Sequence, residues 1–181
     1  MAGFPVLIVV GGLPATGKST VASALVRRTG FAYVRVDRIE QAIVGSSELR
    51  APLGPVGYQV AYEVAAEQLR HGISVVAESV NPLGVTRDAW RGVAFDASAG
   101  VLEVELICTD LAAHRTRVQT REVDIPGLAL PSWQQVLDRD YEPWDHDHLV
   151  IDTATQAPAA AVETILRAVA EVPRAIDNRL T

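Results

Sequence analysis

Hydrophobic and polar residues follow two patterns along the chain. Short apolar stretches occur at PVLIVV (5–10), FAYVRV (31–36), ISVVAE (73–78), LEVELIC (102–108) and HLVIDT (148–153). Between them, apolar residues recur every three or four positions, most clearly over 21–26, 58–69 and 162–169, which is typical of amphipathic helices. Strands that alternate with helices predict one α/β domain over residues 1–181, with a parallel sheet and helices on both faces.

Polar residues follow each predicted strand. They are Gly12–Ser19, Asp37, Glu78–Asn81, Thr109 with Asp110, and Asp152 onward. Ligands of open parallel sheets bind beyond the carboxyl ends of the strands, so we expect these residues to line one crevice. Two segments rich in glycine and proline, 46–57 and 124–131, are predicted to be loops within the domain.

The segment directly after the first stretch, GLPATGKS (12–19), matches G-x-x-x-x-G-K-[ST] without a mismatch. Glycines let the backbone bend closely enough to direct several N–H groups at an anion, and the following helix adds its positive end. In this motif the lysine reaches the β- and γ-phosphates, and the serine hydroxyl helps to hold Mg²⁺. The sequence therefore predicts a nucleotide site formed by Gly12, Leu13, Pro14, Ala15, Thr16, Gly17, Lys18, Ser19 and Thr20.

The composition favours a globular protein of the reducing cytosol. Apolar residues make up 49 % and charged residues 21 %, and the formal net charge is −6 with a pI near 5.2. This charge argues against a long nucleic-acid footprint, although a local basic cleft stays compatible with it. The single cysteine, Cys108, is expected to be an inert core thiol. No apolar stretch approaches the roughly 20 residues of a membrane span, and a basic signal-peptide start is missing, so we expect a cytoplasmic location.

Two classes of nucleotide-hydrolysing protein lack their signatures here. GTPases read guanine with N-K-x-D, which does not occur, and the D-x-x-G match at Asp124–Gly127 does not follow a predicted strand. AAA-type motor ATPases and transport ATPases carry an apolar strand that ends in Asp-Glu, and no stretch here ends that way.

The remaining pattern resembles the small P-loop kinases of the adenylate-kinase-like group. It is most similar to the branch of the polynucleotide 5′-kinase, zeta-toxin and chloramphenicol phosphotransferase proteins, small kinases with an AAA-type ATP-binding domain. The segments that carry the resemblance are GLPATGKST, VDRIEQAI, VVAESVNP, TDLAAHRTRVQTR and VIDT, in that order. The resemblance implies a three-layer sandwich with a five-stranded sheet of order 2-3-1-4-5, a small mobile lid within about 110–140, and ATP·Mg²⁺ as phosphoryl donor.

Two acidic residues at predicted strand ends receive roles from this resemblance. Asp37 corresponds to the acid that aligns or deprotonates the acceptor hydroxyl. Its alternative role is structural, because Asp37-Arg-Ile-Glu40 also reads as a capping box. Glu78 corresponds to an acid near the metal, for which water-mediated contact, acceptor binding or capping of the next turn are the open alternatives.

The acceptor pocket is expected to come from residues 38–70 and 79–91. Its candidate members, together with Asp37 and Glu78, are Glu40, Arg50, Tyr58, Asn81 and Arg87. Arg87 faces either an anionic acceptor or solvent. The segments carry no motif that names the acceptor.

Arg117 and Arg121 are four residues apart and share one helical face. The resemblance implies that they clamp the transferred phosphate from the lid, and a solvated helix face is the alternative. Asp152 and Thr153 follow the last strand, where the resemblance implies contact with adenine.

Several conspicuous residues are expected to be structural. WDHDH (144–148) is interpreted as a solvated turn, because consecutive residues of an extended chain point in alternating directions. His71 and His114 lie in helical segments and are expected at the surface.

Three functions are compatible with these features. The first is an ATP- and Mg²⁺-dependent kinase that phosphorylates a hydroxyl of a small molecule. The second is a polynucleotide 5′-hydroxyl kinase, and the third is a nucleotide-dependent regulatory or binding module. The sequence carries no signal for the oligomeric state.

Overall fold

The computed structural model of the protein describes residues 3–173, so residues 1–2 and 174–181 of the predicted domain lie outside the described residues. The strands are β1 (Val6–Gly11), β2 (Ala32–Arg35), β3 (Val75–Glu78), β4 (Gly100–Ile107) and β5 (Leu149–Asp152). The helices are α1 (Lys18–Thr29), α2 (Val36–Ser46), α3 (Val56–Arg70), α4 (Gly84–Asp96), α5 (Leu111–Thr120), α6 (Trp133–Leu137) and α7 (Pro158–Glu171).

The strands form a parallel sheet of order β2-β3-β1-β4-β5, which confirms the predicted fold class. Its register aligns the carboxyl ends of the strands: Glu78 lies opposite Arg35 and Val10, and Asp152 lies opposite Ile107. The residues that follow these strands therefore meet at one edge of the sheet.

Strand β1 is buried along its whole length and separates two hydrophobic cores. Val6, Ile8 and Val10 face the core that α1 and α7 cover. Leu7 and Val9 face the opposite core, which α3 and α4 cover. Successive side chains of a strand point to opposite faces, and burying each contributes about 1.5–3 kcal/mol. The continuous apolar run thus places the start of the phosphate loop at the centre of the sheet.

The junction between β2 and α2 differs from the predicted capping box. Helix α2 begins directly after β2, and Arg35 is its N-cap residue without a side-chain cap hydrogen bond. Asp37 lies in the first turn of the helix and not at the cap. The interpretation of Asp37 as a cap is therefore wrong, since the helix starts two residues earlier than the capping box predicts.

The segment between β4 and β5 contains two helices and two irregular stretches. Helix α5 is capped by Asp110, whose carboxylate accepts from the backbone N–H groups of Ala112 and Ala113. Residues 121–132 follow without helix, in agreement with the predicted loop at 124–131, and α6 begins with a capping box at Ser132. Within residues 3–173, no helix has the length and apolar character that a bilayer crossing requires.

Candidate active site

The phosphate loop connects β1 to α1 through backbone conformations that side chains rarely adopt. Gly12 has φ +131°, and a Cβ atom there would lie 2.2 Å from the carbonyl oxygen of Leu106. Ala15 and Gly17 also have positive φ, +65° and +98°. Loops of this kind turn successive N–H groups towards one concavity, where they bind anions together with the helix N-terminus. The local sequence therefore forms a candidate anion site ahead of Lys18.

Lys18 is buried at the base of this loop, and its Nζ donates to the carbonyl oxygen of Leu13 over 2.8 Å. Burial lowers the pKa of its ammonium group to about 8, while the negative charges of Glu78 and Asp37 oppose the shift. Arg121 and Arg139 add to the lowering through like-charge repulsion. An anion in the loop would offset the cost of burying the Lys18 ammonium group and its repulsion by Arg121 and Arg139.

Ser19 and Glu78 meet beside the loop. The Ser19 hydroxyl donates to Glu78 Oε1 over 2.5 Å, and the Tyr33 hydroxyl donates to Glu78 Oε2. Arg35 lies 3.6 Å from the same Oε2, because β2 and β3 pair in register there. Glu78 is 2 % exposed, so these three side chains, and not solvent, surround its carboxylate.

A hydroxyl and a carboxylate next to a phosphate site are the hard oxygen donors that suit Mg²⁺, which is usually held by one or two protein oxygens plus phosphates and water. Among residues 3–173, no group of three or more His, Cys, Asp or Glu side chains is arranged to hold a metal ion. Ser19 and Glu78 thus fit a metal that arrives with a nucleotide.

A cleft of about 1200 Å³ opens in front of the loop and collects several charged side chains. Asp37 and Glu40 line it from α2, Arg121 lines it from the end of α5, and Arg139 lines it from the chain after α6. Burial and the neighbouring Asp37 raise the pKa of Glu40, while Arg139 opposes this rise. Within residues 3–173, the side chains of these four residues form no hydrogen bond or ion pair with the protein, and Arg121 Nε is buried without a partner. The four groups are free to bind a ligand.

The two predicted clamp arginines have different environments. Arg117 donates to the side chain and carbonyl oxygen of Thr153, over 2.8 and 3.0 Å. Arg121 is the C-cap of α5, and burial lowers its pKa while Asp37 and Asp124 oppose this. Both arginines line the cleft, but only Arg121 has its guanidinium available there, whereas Arg117 is bonded to the loop after β5.

Of the two predicted adenine contacts, only Thr153 lines the cleft. Its hydroxyl lies 2.9 Å from the carbonyl oxygen of Thr16 and connects the phosphate loop to the loop after β5. Asp152 accepts from the backbone N–H groups of Thr109 and Ala154 and from the Thr109 hydroxyl, which together lower its pKa. The Asp152 carboxylate thus stabilises this turn.

Four residues predicted to bind the acceptor do not line the cleft: Arg50, Tyr58, Asn81 and Arg87. Arg50 is exposed on the loop before α3 and donates to the carbonyl oxygens of Ser47 and Leu49. The Tyr58 hydroxyl accepts from the backbone N–H of Asn81 over 3.0 Å, and the Asn81 side chain is fully buried. Their sequence segments border the cleft, but these side chains do not line it.

Arg87 is neither solvated nor turned towards an acceptor, so both predicted alternatives are wrong. It is 0 % exposed, and its guanidinium lies 4.3 Å from the centre of the Trp144 ring. Its N–H groups donate to four backbone carbonyl oxygens, those of Asn81, Pro82, Glu142 and Pro143. Arg87 holds the chain after β3 against the chain before β5.

Three further site residues, Tyr33, Arg35 and Arg139, were not predicted. Tyr33 and Arg35 alternate with apolar residues in FAYVRV, and this alternation is the signal that places both on one face of β2. Arg139 lies in no motif. His114, which we expected at the surface, is 4 % exposed, and its Nε2 lies 2.8 Å from the carbonyl oxygen of Pro14.

Comparison with known proteins agrees with this geometry. A sequence model described as AAA domain matches residues 7–139, which include the phosphate loop, Asp37, Glu78, Arg117 and Arg121. The chain belongs to this AAA domain family. Since no strand here ends in Asp-Glu, that pair is not a requirement for membership. No curated protein matches the chain in sequence.

Several solved structures share the fold at low sequence identity. A protein of Chloroflexus aurantiacus J-10-fl, assigned provisionally as a kinase, is 19 % identical, with a TM-score of 0.73 over 93 % of this chain and 98 % of that one. The APS kinase of Mycobacterium tuberculosis in complex with AMPPNP and APS is 18 % identical, with a TM-score of 0.69 over 93 % and 99 %. A gluconokinase from Sinorhizobium meliloti 1021 is 21 % identical, with a TM-score of 0.62 over 93 % of each chain. The fold is therefore that of small P-loop kinases.

Proposed function

We propose that the protein is a kinase that transfers the γ-phosphoryl group of ATP, bound with Mg²⁺, to a hydroxyl group of a small molecule. The observation that carries this proposal is the unpaired Asp37 carboxylate, which shares a cleft with the phosphate loop and Lys18. A carboxylate in this position can orient an acceptor hydroxyl and receive its proton. The gluconokinase and APS kinase that share the fold support a small acceptor.

The phosphate loop would bind the donor. Its N–H groups and Lys18 would surround the phosphates, and an anion there would favour the charged form of Lys18 and oppose the lowering of its pKa. Ser19 and Glu78 would hold Mg²⁺, which when bound neutralises charge on the phosphates. Arg117, fixed on Thr153, would support the loop on the base side of the nucleotide.

Asp37 would orient the acceptor hydroxyl and accept its proton. The acceptor oxygen forms a bond to the γ-phosphorus while the bond to the oxygen bridging the β- and γ-phosphates breaks, and ADP leaves with that electron pair. Arg121 and Arg139 would neutralise the charge that develops on the transferred group. Phosphoryl transfer depends mainly on positioning the reactants and stabilising charge. Asp37 would supply the first, and Arg121 with Arg139 the second.

The acceptor is expected to be small and rich in hydroxyl groups. Asp37 and Glu40 offer carboxylate oxygens one helical turn apart on α2, an arrangement that suits neighbouring hydroxyl donors. The net charge of −6 disfavours a polynucleotide, since each phosphate contact requires its own cation.

The test is ADP release from ATP·Mg²⁺ with separate pools of sugars and sugar acids, nucleosides, antibiotics and oligonucleotides. We expect one small-molecule pool to raise turnover, Lys18→Ala to abolish it, and Asp37→Asn to keep ADP affinity but lose the stimulation. Asp96→Asn, a change of an exposed aspartate on α4, is the matched control and should behave as the wild type. Stimulation by oligonucleotides alone would identify a polynucleotide kinase. Equal turnover in all pools, unaffected by Asp37→Asn, would identify a regulatory NTPase.

A further inference from the structure

His114 connects the helix after β4 to the phosphate loop. Its Nε2 lies 2.8 Å from the carbonyl oxygen of Pro14, a residue 100 positions earlier in the chain. A carbonyl oxygen only accepts hydrogen bonds, so Nε2 carries the hydrogen and His114 is the donor. We propose that His114 is a positioning residue that keeps the phosphate loop in its anion-binding conformation. This inference rests on the proposed binding of a phosphate-bearing ligand.

The hydrogen bond acts on the peptide between Pro14 and Ala15. In a trans peptide the C=O and N–H groups point in opposite directions. With the Pro14 carbonyl oxygen held by His114, the Ala15 N–H points the other way. Ala15 lines the cleft, and its N–H donates to no residue in the range 3–173. The bond to His114 therefore directs one free donor at the place where an anion binds.

The conformation that His114 maintains is an unfavourable one for alanine. Ala15 has φ +65°, the left-handed region that residues with a Cβ atom rarely occupy. Rotation of the Pro14–Ala15 peptide by half a turn would return φ of Ala15 to the ordinary negative range. The same rotation would turn the Pro14 carbonyl oxygen towards the phosphates. The His114 hydrogen bond opposes this rotation, because the rotation breaks it.

His114 is itself well fixed. Its ring packs edge-on against Trp133 of α6, with ring centres 5.2 Å apart, and it lies in the first turns of the capped helix α5. A second contact supports the same arrangement, since the Thr153 hydroxyl lies 2.9 Å from the carbonyl oxygen of Thr16. Two loop carbonyl oxygens are thus held by residues of distant segments.

The experiment measures the affinity of the whole protein for ADP·Mg²⁺ and for inorganic pyrophosphate by titration calorimetry. His114→Leu removes the donor, and we expect about five- to tenfold weaker binding of both ligands, as for loss of one hydrogen bond. His114→Gln carries an amide donor at a similar distance and should restore most of the affinity. His71→Leu, a change of an exposed histidine at the end of α3, is the matched control and should leave both affinities unchanged.

A second variant tests the mechanism through the backbone. Glycine occupies positive and negative φ about equally, so Ala15→Gly removes most of the drive for the peptide to rotate. We expect His114→Leu to weaken binding less in the Ala15→Gly background than in the wild type. A merely structural role would instead give the same loss in both backgrounds and no rescue by glutamine.

The outcomes separate this inference from the proposed function. Equal affinities in wild type and His114→Leu would overturn the role of His114. If His114→Leu shows the expected losses of ADP and pyrophosphate affinity but the wild type phosphorylates no acceptor, the positioning role of His114 would be supported and the kinase proposal contradicted. A wild-type protein that binds neither ligand would overturn both.

Discussion

Replacing Lys18 with methionine separates the cost of burying an ammonium group from its use in phosphate binding. Burial lowers the pKa of Lys18 from 10.5 to about 8, and each pKa unit is worth about 1.36 kcal/mol. Below its folded pKa, the charged side chain therefore lowers the free energy of unfolding by about 3 kcal/mol. Replacing the lysine removes this cost, but it also removes the hydrogen bond to Leu13, which offsets about 1 kcal/mol of the gained stability. Near neutral pH, we expect the free energy of unfolding of Lys18→Met to be about 2 kcal/mol higher than that of the wild type. We also expect the variant to lose nucleotide binding.

The pH dependence has a definite sign. The folded pKa lies below the unfolded value, so between about 8 and 10.5 the unfolded chain binds more protons and the stability of the wild type rises with pH. Methionine does not titrate, so the advantage of Lys18→Met shrinks over this window. From about pH 7 to about pH 9.5 the difference between variant and wild type should fall by about 2 kcal/mol.

The assay is urea unfolding of the nucleotide-free wild type and variant at several pH values. Taking the difference between the two proteins cancels the titration of all other groups. Arg28→Met removes an exposed cation from the same helix and should change stability by at most about 0.5 kcal/mol at every pH. A Lys18→Met variant that is less stable than the wild type, by an amount independent of pH, would refute the reasoning.

Three further substitutions test other contacts. Arg87→Met leaves four backbone carbonyl oxygens without their donor and should lower the free energy of unfolding by about 3 kcal/mol or more. A loss below about 1 kcal/mol in urea unfolding would contradict this. Arg139→Met should slow phosphoryl transfer by about 100-fold without changing the affinity for ADP. An unchanged steady-state rate of transfer would show that Arg139 takes no part in it. Gly57→Ala places a Cβ atom 2.2 Å from Cγ of Glu40, so Glu40 must move. We expect a higher acceptor KM with little change in ADP affinity, and an unchanged KM would exclude Glu40 from acceptor binding.

The sequence by itself determined the five strands, the helices α1, α3 and α7, and the glycine-rich loop after β1, because these depend on residues close together in the chain. The apolar run of β1 predicts a buried central strand, and Gly12 and Gly17 supply the backbone freedom that the loop needs. The strand order was implied by a family resemblance that five segments carry, of which the phosphate loop is the most specific. Asp37 and Glu78 could be placed near the loop because they follow parallel strands, whose carboxyl ends share one edge of the sheet.

The tertiary structure alone decided which side chains are free. Arg87, Arg117 and Arg121 look alike in the sequence, yet Arg87 is enclosed by carbonyl oxygens 5 to 56 residues away and Arg117 is bonded to Thr153. His114 lies in a polar helical segment, so the sequence predicts a surface residue, but in the structure it is covered by contacts with Pro14 and Trp133. Whether a charged side chain is bonded within the protein or free to bind a ligand depends on the partners that long-range packing brings to it. Neither the hydrophobic periodicity nor the spacing of motifs in the sequence indicates those partners.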